Sequence, residues 1–325
     1  MAYTTIDNPE LYFQTKIYTG NGGTQAITFD GSENMQPDFI WCKSRNNVRH
    51  HYLADVIRGV KSRLRSDANN SEYTANSTSG FDSFDSDGFT LEEDSSSLGL
   101  NESGHTMVSW NWKESATAGF DIVSYTGNSS DGVTQQNISH SLSAVPQVII
   151  IKNRADATNW CVYHHKNTSA PETEVIYLNA SNATSDDSAF FGDTAPTSSI
   201  FTVGGDNGVN GNGDSMIAYC FAEKKGYSKF GSYTGNGNSD GTFVYTGFRP
   251  AWFLVKRTDG SDHWTLWDNK RETTMNPNDN VLYPSTNSAE STSDTSYACD
   301  FLSNGVKWRG TSTGMNTSGG TYIYI

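Results

Sequence analysis

Apolar residues along this chain come in short runs broken by Gly, Ser, Thr, Asn and Asp, with almost no helical spacing. In the middle third the runs read as strands over Asp121–Tyr125, Gln147–Lys152, Trp160–His164, Glu174–Leu178, Ile200–Val203 and Ser215–Glu223. Val148–Ile151 and Trp252–Val255 are apolar at every position, which predicts central strands buried on both faces. Asp121–Tyr125 and Glu174–Leu178 mix polar with apolar positions, as half-exposed strands do. The breaks carry turn chemistry. Tyr18-Thr-Gly20-Asn21 puts Gly where a positive φ is cheap and Asn where a side chain can bond nearby backbone. Asp85-Ser-Asp87-Gly88 is the same kind of device.

This pattern occurs three times. Tyr-Thr-Gly-Asn recurs at Tyr18, Tyr125 and Tyr233, at intervals of 107 and 108 residues. A proline precedes an apolar run at Pro37, Pro146 and Pro250, and each run ends in a lysine: Lys43, Lys152 and Lys256. Twelve residues on stands a polar residue: Asp55, His164 and Asp268. Each unit closes on an Asn-x-x-Gly turn leading into a strand: Asn101–Gly104, Asn210–Gly213 and Asn316–Gly319. The period is too long for a solenoid and matches the size of a domain that closes its own core. The expected organisation is an arm at 1–13 and repeats at 14–115, 116–225 and 226–325. Six or seven strands per repeat predict an all-β chain of three tandem antiparallel β-sandwiches, Greek-key or jelly-roll-like. Repeat 3 stops at Tyr322-Ile-Tyr-Ile325, about four residues short of the others, so its last strand reads as truncated.

The net charge of −14 repels phosphate backbones, so no nucleic-acid partner is expected. No run is long enough to span a bilayer, and the first residues lack the basic and apolar segments of a signal peptide. No membrane partner is expected. The four cysteines do not recur with the repeat and read as isolated residues of a reduced fold. One basic cluster stands out around Asp55. Within it Arg58, Lys61, Arg63 and Arg65 are either a solvated edge or a docking patch for an acidic neighbour. With residues 1–13 they are expected to anchor the chain.

No catalytic motif is found. His50-His51 and His164-His165 fall on strands, where neighbours face opposite ways and cannot share an ion. Asp85-x-Asp87-Gly88 lacks the later oxygens of a calcium loop. The expectation is a non-enzyme with no catalytic, cofactor-binding or metal-ligating residues and no cofactor. The aromatics allow two readings. Trp160 and Tyr163 align with Trp264 and Trp267, and exposed aromatic faces stack on sugars, so the four are candidate glycan contacts. Residues three apart on a strand face opposite ways, so one of each pair can equally lie in a core and the other at a domain contact.

The aligned set resembles tandem β-sandwich repeat domains of marine bacteriophage (cyanophage- and pelagiphage-like) tail-fibre and virion appendage proteins. Leu11–Gly22, Gln36–Arg45, Ile57-Arg-Gly59, Phe84–Leu91 and Asn101–Trp112 carry the resemblance in repeat 1. Phe230–Gly237 and Pro250–Lys256 carry it in repeat 3, while repeat 2 lacks the Arg-Gly element. The resemblance implies a structural protein of a virion, in a tail fibre, an appendage or a capsid-surface decoration. Made in the host cytoplasm and released by lysis, it would partner other virion proteins and itself, as a homo-oligomer such as a trimer. The alternatives are an adhesin for host-surface glycan and a cellular surface filament protein.

Overall fold

The computed structural model describes residues 4–74, 80–94, 98–272, 274 and 276–325; positions 1–3 of the expected arm lie outside them. The chain is all-β, built of several antiparallel sheets, none of them closed. Each repeat contributes one larger sheet with the same strand order. In repeat 1 the order is Phe13–Thr19, Thr106–Trp112, Phe39–Ser44, Tyr52–Asp55. In repeat 3 it is Gly231–Thr234, Thr321–Tyr324, Trp252–Arg257, Thr265–Asp268. Repeat 2 follows suit with Phe120–Thr126, Ser215–Phe221, Val148–Asn153 and Cys161–His164, then adds Glu174–Tyr177 and Ser185–Asp186. The last strand of each repeat is thus inserted between the first and second. A smaller sheet accompanies each, such as Gln25–Ile27, Gly88–Leu91 and Phe81–Asp85 in repeat 1.

The strands that are apolar on both faces serve two cores. Ile40 and Cys42 face the smaller sheet of repeat 1, in a cluster with Phe81 and Phe89. Their neighbours Phe39 and Trp41 point the other way, as the two-residue period requires. Repeat 2 does the same with Ile149 and Ile151 against Val148 and Ile150, and repeat 3 with Phe253 and Val255 against Leu254. The outward sets of all three repeats merge into one cluster that includes Trp110, Trp160, Tyr219, Trp264 and Ile323. The repeats therefore do not close separately. Each has a core between its two sheets, and all three share a fourth.

The repeated turn motifs form a single clamp. Tyr18 donates its hydroxyl to Leu100 O at 2.9 Å, Tyr125 to Val209 O and Tyr233 to Met315 O, both at 2.7 Å. The buried side chains of Asn101, Asn210 and Asn316 accept from the N–H of Asn21, Asn128 and Asn236 at 3.1, 2.8 and 2.9 Å. Glycine is required between them. A Cβ on Gly20, Gly127 or Gly235 would lie 2.3, 2.2 or 2.3 Å from the carbonyl oxygen of Glu102, Gly211 or Thr317.

The lysine of each repeat is fully buried, and among the described residues no carboxylate is its hydrogen-bond partner. Lys43 donates to Ser44 O, Lys152 to Asn153 O and Asp156 O, and Lys256 to Ser181 O, Arg257 O and Asp262 O. Burial pushes each ammonium down to about 8. All four cysteines are free and buried. Residues 4–12 of the arm lie on the body. Ile6 is buried, Asn8 caps a short turn at Pro9–Leu11, and Tyr12 meets the Tyr227 ring edge-on at 6.3 Å.

Candidate functional site: the seams between repeats

The polar residue twelve positions past each lysine sits at the junction with another repeat. Asp55 of repeat 1 accepts the Tyr219 hydroxyl of repeat 2 at 2.6 Å. Asp268 of repeat 3 accepts the Trp110 indole N–H of repeat 1 at 2.9 Å. His164 of repeat 2 has its Nε2 3.0 Å from Tyr324 O of repeat 3. Its Nδ1 accepts the Lys166 N–H at 3.1 Å, so Nε2 carries the proton and donates. The contacts run 1 to 2, 2 to 3 and 3 to 1, and close a ring about the shared core.

A second ring runs the opposite way. Trp160 donates its indole N–H to Arg65 O at 2.8 Å, repeat 2 to repeat 1. Trp264 donates to Tyr177 O at 2.8 Å, repeat 3 to repeat 2. The equivalent His51 lies beside the Tyr283 backbone of repeat 3 and accepts the Trp41 indole N–H of its own repeat on Nδ1 at 2.9 Å. Among the described residues its buried Nε2 makes no hydrogen bond, so this ring stays open between repeats 1 and 3. A third ring is main-chain. Glu72 N–H donates to Arg154 O at 2.8 Å, Thr184 N–H to Thr258 O at 2.9 Å and Glu290 N–H to Arg45 O at 2.7 Å.

Side chains on this frame differ between seams. Between repeats 1 and 2, Arg58 bonds Asp55 at 2.6 Å and Glu72 at 3.1 Å, and Glu72 takes a two-pronged contact from Arg154 at 2.7 and 2.9 Å. Burial weighs against the Arg58 charge, but Tyr219, Asp55 and Glu72 around it hold its pKa above the ordinary value. Between repeats 3 and 1, Arg271 bonds Asp268 at 2.6 Å and also Glu290, which Arg45 reaches at 2.7 Å. Burial opposes the Arg271 charge too, and Asp268 and Glu290 outweigh it. Between repeats 2 and 3 the corresponding residues are uncharged: His164, Asn167, Thr184, Thr258 and Ile325. Thr184 donates its hydroxyl to Asn167 Oδ1 at 2.6 Å. Burial pushes His164 down to about 3, so it is neutral near pH 7.

These placements correct two expectations. Trp160, Trp264 and Trp267 are 0% exposed and Tyr163 4%, so none offers a face to a sugar. Trp160 and Trp264 lie at repeat contacts, while Tyr163 packs edge-on to Phe191 and Trp267 against Trp308 in their own repeats' cores. Alternation along the strand makes that split. The basic cluster is no free docking patch either. Arg58 is spent on the seam, Lys61 pairs with Glu92 at 2.7 Å, Arg63 lies 4.8 Å over the Tyr73 ring and Arg65 5.6 Å over Tyr52.

The histidine pairs split as well. His50 bonds Asp67 at 2.7 Å while His51 faces the shared core; His165 reaches Phe230 O at 3.1 Å. Asp85 closes its hairpin by accepting from Ser83 and Thr90 at 2.5 and 2.8 Å. Among the described residues no three His, Cys, Asp or Glu side chains converge on a metal position. Sequence reasoning left Glu72, Arg154 and Glu290 without a role. The signal that could have found them is their joint change from charged to neutral in the seam that holds His164.

Fold and seams together define an all-β repeat protein whose three units are tied in a ring about a common core. A family model covers residues 8–325, and the chain belongs to that family, described as Domain of unknown function (DUF7483). No curated protein and no solved structure matches the chain.

Proposed function

We propose that the chain is a non-enzymatic structural protein of a phage particle, a building block of a tail fibre, an appendage or a surface decoration. Its unit is three β-sandwiches closed on one another. One observation carries this reading: the residues that recur with the repeat are spent on clamping turns, filling cores and joining repeats. Lys43, Lys152 and Lys256, the Asp55, His164 and Asp268 positions and the Trp160 and Trp264 positions are all buried. A catalyst or receptor-binding strip built from these lysine, Asp/His and Trp/His positions would leave some of them open to a ligand. The ring also gives one chain an approximate three-fold arrangement, which suits a three-fold partner such as a trimeric fibre. The resemblance to marine phage appendage domains points the same way.

The test is immunogold electron microscopy of particles purified from the source, with an antibody to repeat 2. Label on tails or fibres supports an appendage, and label spread over heads supports decoration. Particles without label would overturn the virion reading and favour a cellular surface filament.

A further inference from the structure

The smaller sheet of repeat 3 turns a different outer face to solvent from its counterparts. Its edge strand Phe243–Tyr245 points Val244 inward, 3% exposed, and Phe243 and Tyr245 outward, 40% and 61% exposed. Pairing puts Val244 opposite Val306, as it puts Ile27 opposite Phe89 and Ile138 opposite Phe201. The two outward positions are therefore Ala26 and Thr28 in repeat 1, and Asn137 and Ser139 in repeat 2. All four are exposed and none is aromatic. Neither Phe243 nor Tyr245 joins a core cluster, so packing does not explain the two rings.

The rings stand beside polar groups that are held in place. Phe243 leans over Gly305 of the middle strand, where an added Cβ would come within 2.8 Å of a ring carbon. The bare glycine thus seats the ring. On the same face Lys307 lies opposite Phe243 on one side and Asp300 on the other. Lys307 is fixed by Asp240 at 2.8 Å and by Gly241 O at 2.5 Å, and Arg309 by Asp300 at 2.6 Å. Among the described residues Lys307 bonds two partners, though it has three N–H donors, and Arg309 bonds one, though it has five. The Asp240 side chain is 83% exposed. Beside the two rings, therefore, lie positioned donors and an open acceptor.

We propose that this face binds a neutral carbohydrate, its sugar rings stacked on Tyr245 and Phe243 and its hydroxyls bonded by Lys307, Arg309 and Asp240. A sugar offers both things the face can use: an apolar C–H surface for an aromatic ring, and hydroxyls that donate and accept. Alternate residues of a strand are about 7 Å apart, so the two rings meet neighbouring points of one chain. Lys307 and Arg309 against Asp240 and Asp300 leave the face without net charge, which favours a neutral glycan over an acidic one. A protein partner fits less well. Two rings and the half-buried Leu302 fall far short of the roughly 800 Å² that each side of a stable protein interface buries. The inference does not depend on the protein's being a virion component.

Affinity electrophoresis of the intact protein tests it, in native gels cast with mannan, a β-1,3-glucan or a galactan, and with polygalacturonate as the acidic comparison. Retardation by at least one neutral polymer is expected, stronger than by the acidic one. Tyr245→Ala should weaken binding at least about tenfold, Tyr245→Trp should retain it, and Phe243→Ala with Tyr245→Ala should abolish it. Both side chains are exposed, so the melting temperature of each variant should stay close to the parent's, which separates lost binding from lost fold. Val133→Ala, at an exposed apolar position of repeat 2, should bind as the parent does. No retardation by any neutral polymer, retardation unchanged in the double variant, or tighter binding of the acidic polymer would each overturn the proposal. So would a dimer in sedimentation that Tyr245→Ala dissolves, since the rings would then belong to a contact between copies.

Discussion

The seam between repeats 1 and 2 holds Asp55, Arg58, Glu72, Arg154 and Tyr219, and the equivalent positions between repeats 2 and 3 hold His164, Asn167, Thr184, Thr258 and Ile325. The main-chain bond across each is nearly the same, 2.8 Å in one and 2.9 Å in the other. The side chains change as a set. Where the neighbour presents a donor, as Tyr219 does, the facing residue is a carboxylate. Where it presents Ile325, with no side-chain donor, the facing residue is a histidine that donates to the adjacent carbonyl. Removing Asp55 also removes the need for the Arg58 charge, and with it Glu72 and Arg154. At these two seams the buried Asp55 and His164 both find hydrogen-bond partners, and charge is one of two ways to supply them. A buried ion pair exchanged for a well-packed neutral set is often close to neutral in stability, whereas losing one partner is costly.

The largest effect should come from breaking a charged seam halfway. Arg271→Ala leaves Asp268 and Glu290 buried without their shared cation and should cost about 3–5 kcal/mol, read as a shift in the denaturant midpoint. Replacing the whole set between repeats 1 and 2 (Asp55→His, Arg58→Asn, Glu72→Thr, Arg154→Thr and Tyr219→Ile) should cost less than Arg58→Asn alone. A quintuple variant less stable than that single one would show that the two seams are not exchangeable solutions.

Next in size is His164→Asp, which gives the neutral seam the residue of its charged counterparts without their partners. The new carboxylate would face the Tyr324 carbonyl with neither arginine nor hydroxyl to bond. About 3 kcal/mol should be lost, much of it recovered if the side chain is protonated at low pH. A variant as stable as the parent would mean that the His164 contact contributes nothing.

The strands, the three-fold repetition and the double-sided apolar runs were legible because periodicity and turn chemistry are local properties of a chain. Trp160 and Tyr163 show where that ends. Their spacing announces opposite faces, but whether the outer face meets water or another repeat depends on how repeats pack, which no local pattern encodes. Arg58, Arg63 and Arg65 failed as a surface patch for the same reason. Their partners Glu72, Tyr73 and Tyr52 are brought to them by the fold, and a count of nearby charges cannot show it. The repeat-to-repeat differences did hold the seam: Asp55 and Asp268 against His164, and Arg58 and Arg271 against Asn167. Reading those columns jointly, rather than one motif at a time, recovers the network.

Acid should separate the two kinds of seam less sharply than mutation. His164 and His51 are held near 3 by burial, against an ordinary value of about 6.5 in the unfolded chain. Between those values the unfolded state binds protons that the folded state refuses. Stability is therefore intact above about pH 6.5 and falls as pH falls towards 3, by at most about 1.4 kcal/mol per pH unit for each histidine. Glu114, pushed up to about 7 by burial with Asp121 beside it, works the other way from about pH 7 down to about 4.5, its ordinary value. The parent curve thus mixes opposing slopes, and the difference between parent and His164→Gln isolates one. That difference should narrow steadily from pH 6.5 to 4, and a flat difference would remove His164 as an acid-sensitive link.

The smallest effect comes from a matched pair of substitutions at the same position in two seams. Thr184→Val removes the hydroxyl that Asn167 Oδ1 accepts at 2.6 Å and nothing else of similar size. One neutral hydrogen bond is at stake, and about 1 kcal/mol should be lost. Glu72→Gln keeps the shape but removes the charge that Arg58 and Arg154 share, and turns one acceptor into a donor facing two cations. Its cost should be two to three times larger, since hydrogen bonds to charged groups contribute more and the donor now opposes them. Added salt should leave both numbers nearly unchanged, because Glu72 is shielded from solvent by the repeats it joins. If the two substitutions cost the same, the charge at Glu72 adds nothing to what the backbone bond from its own N–H to Arg154 O already supplies. The charged seams would then be no stronger than the neutral one that holds His164.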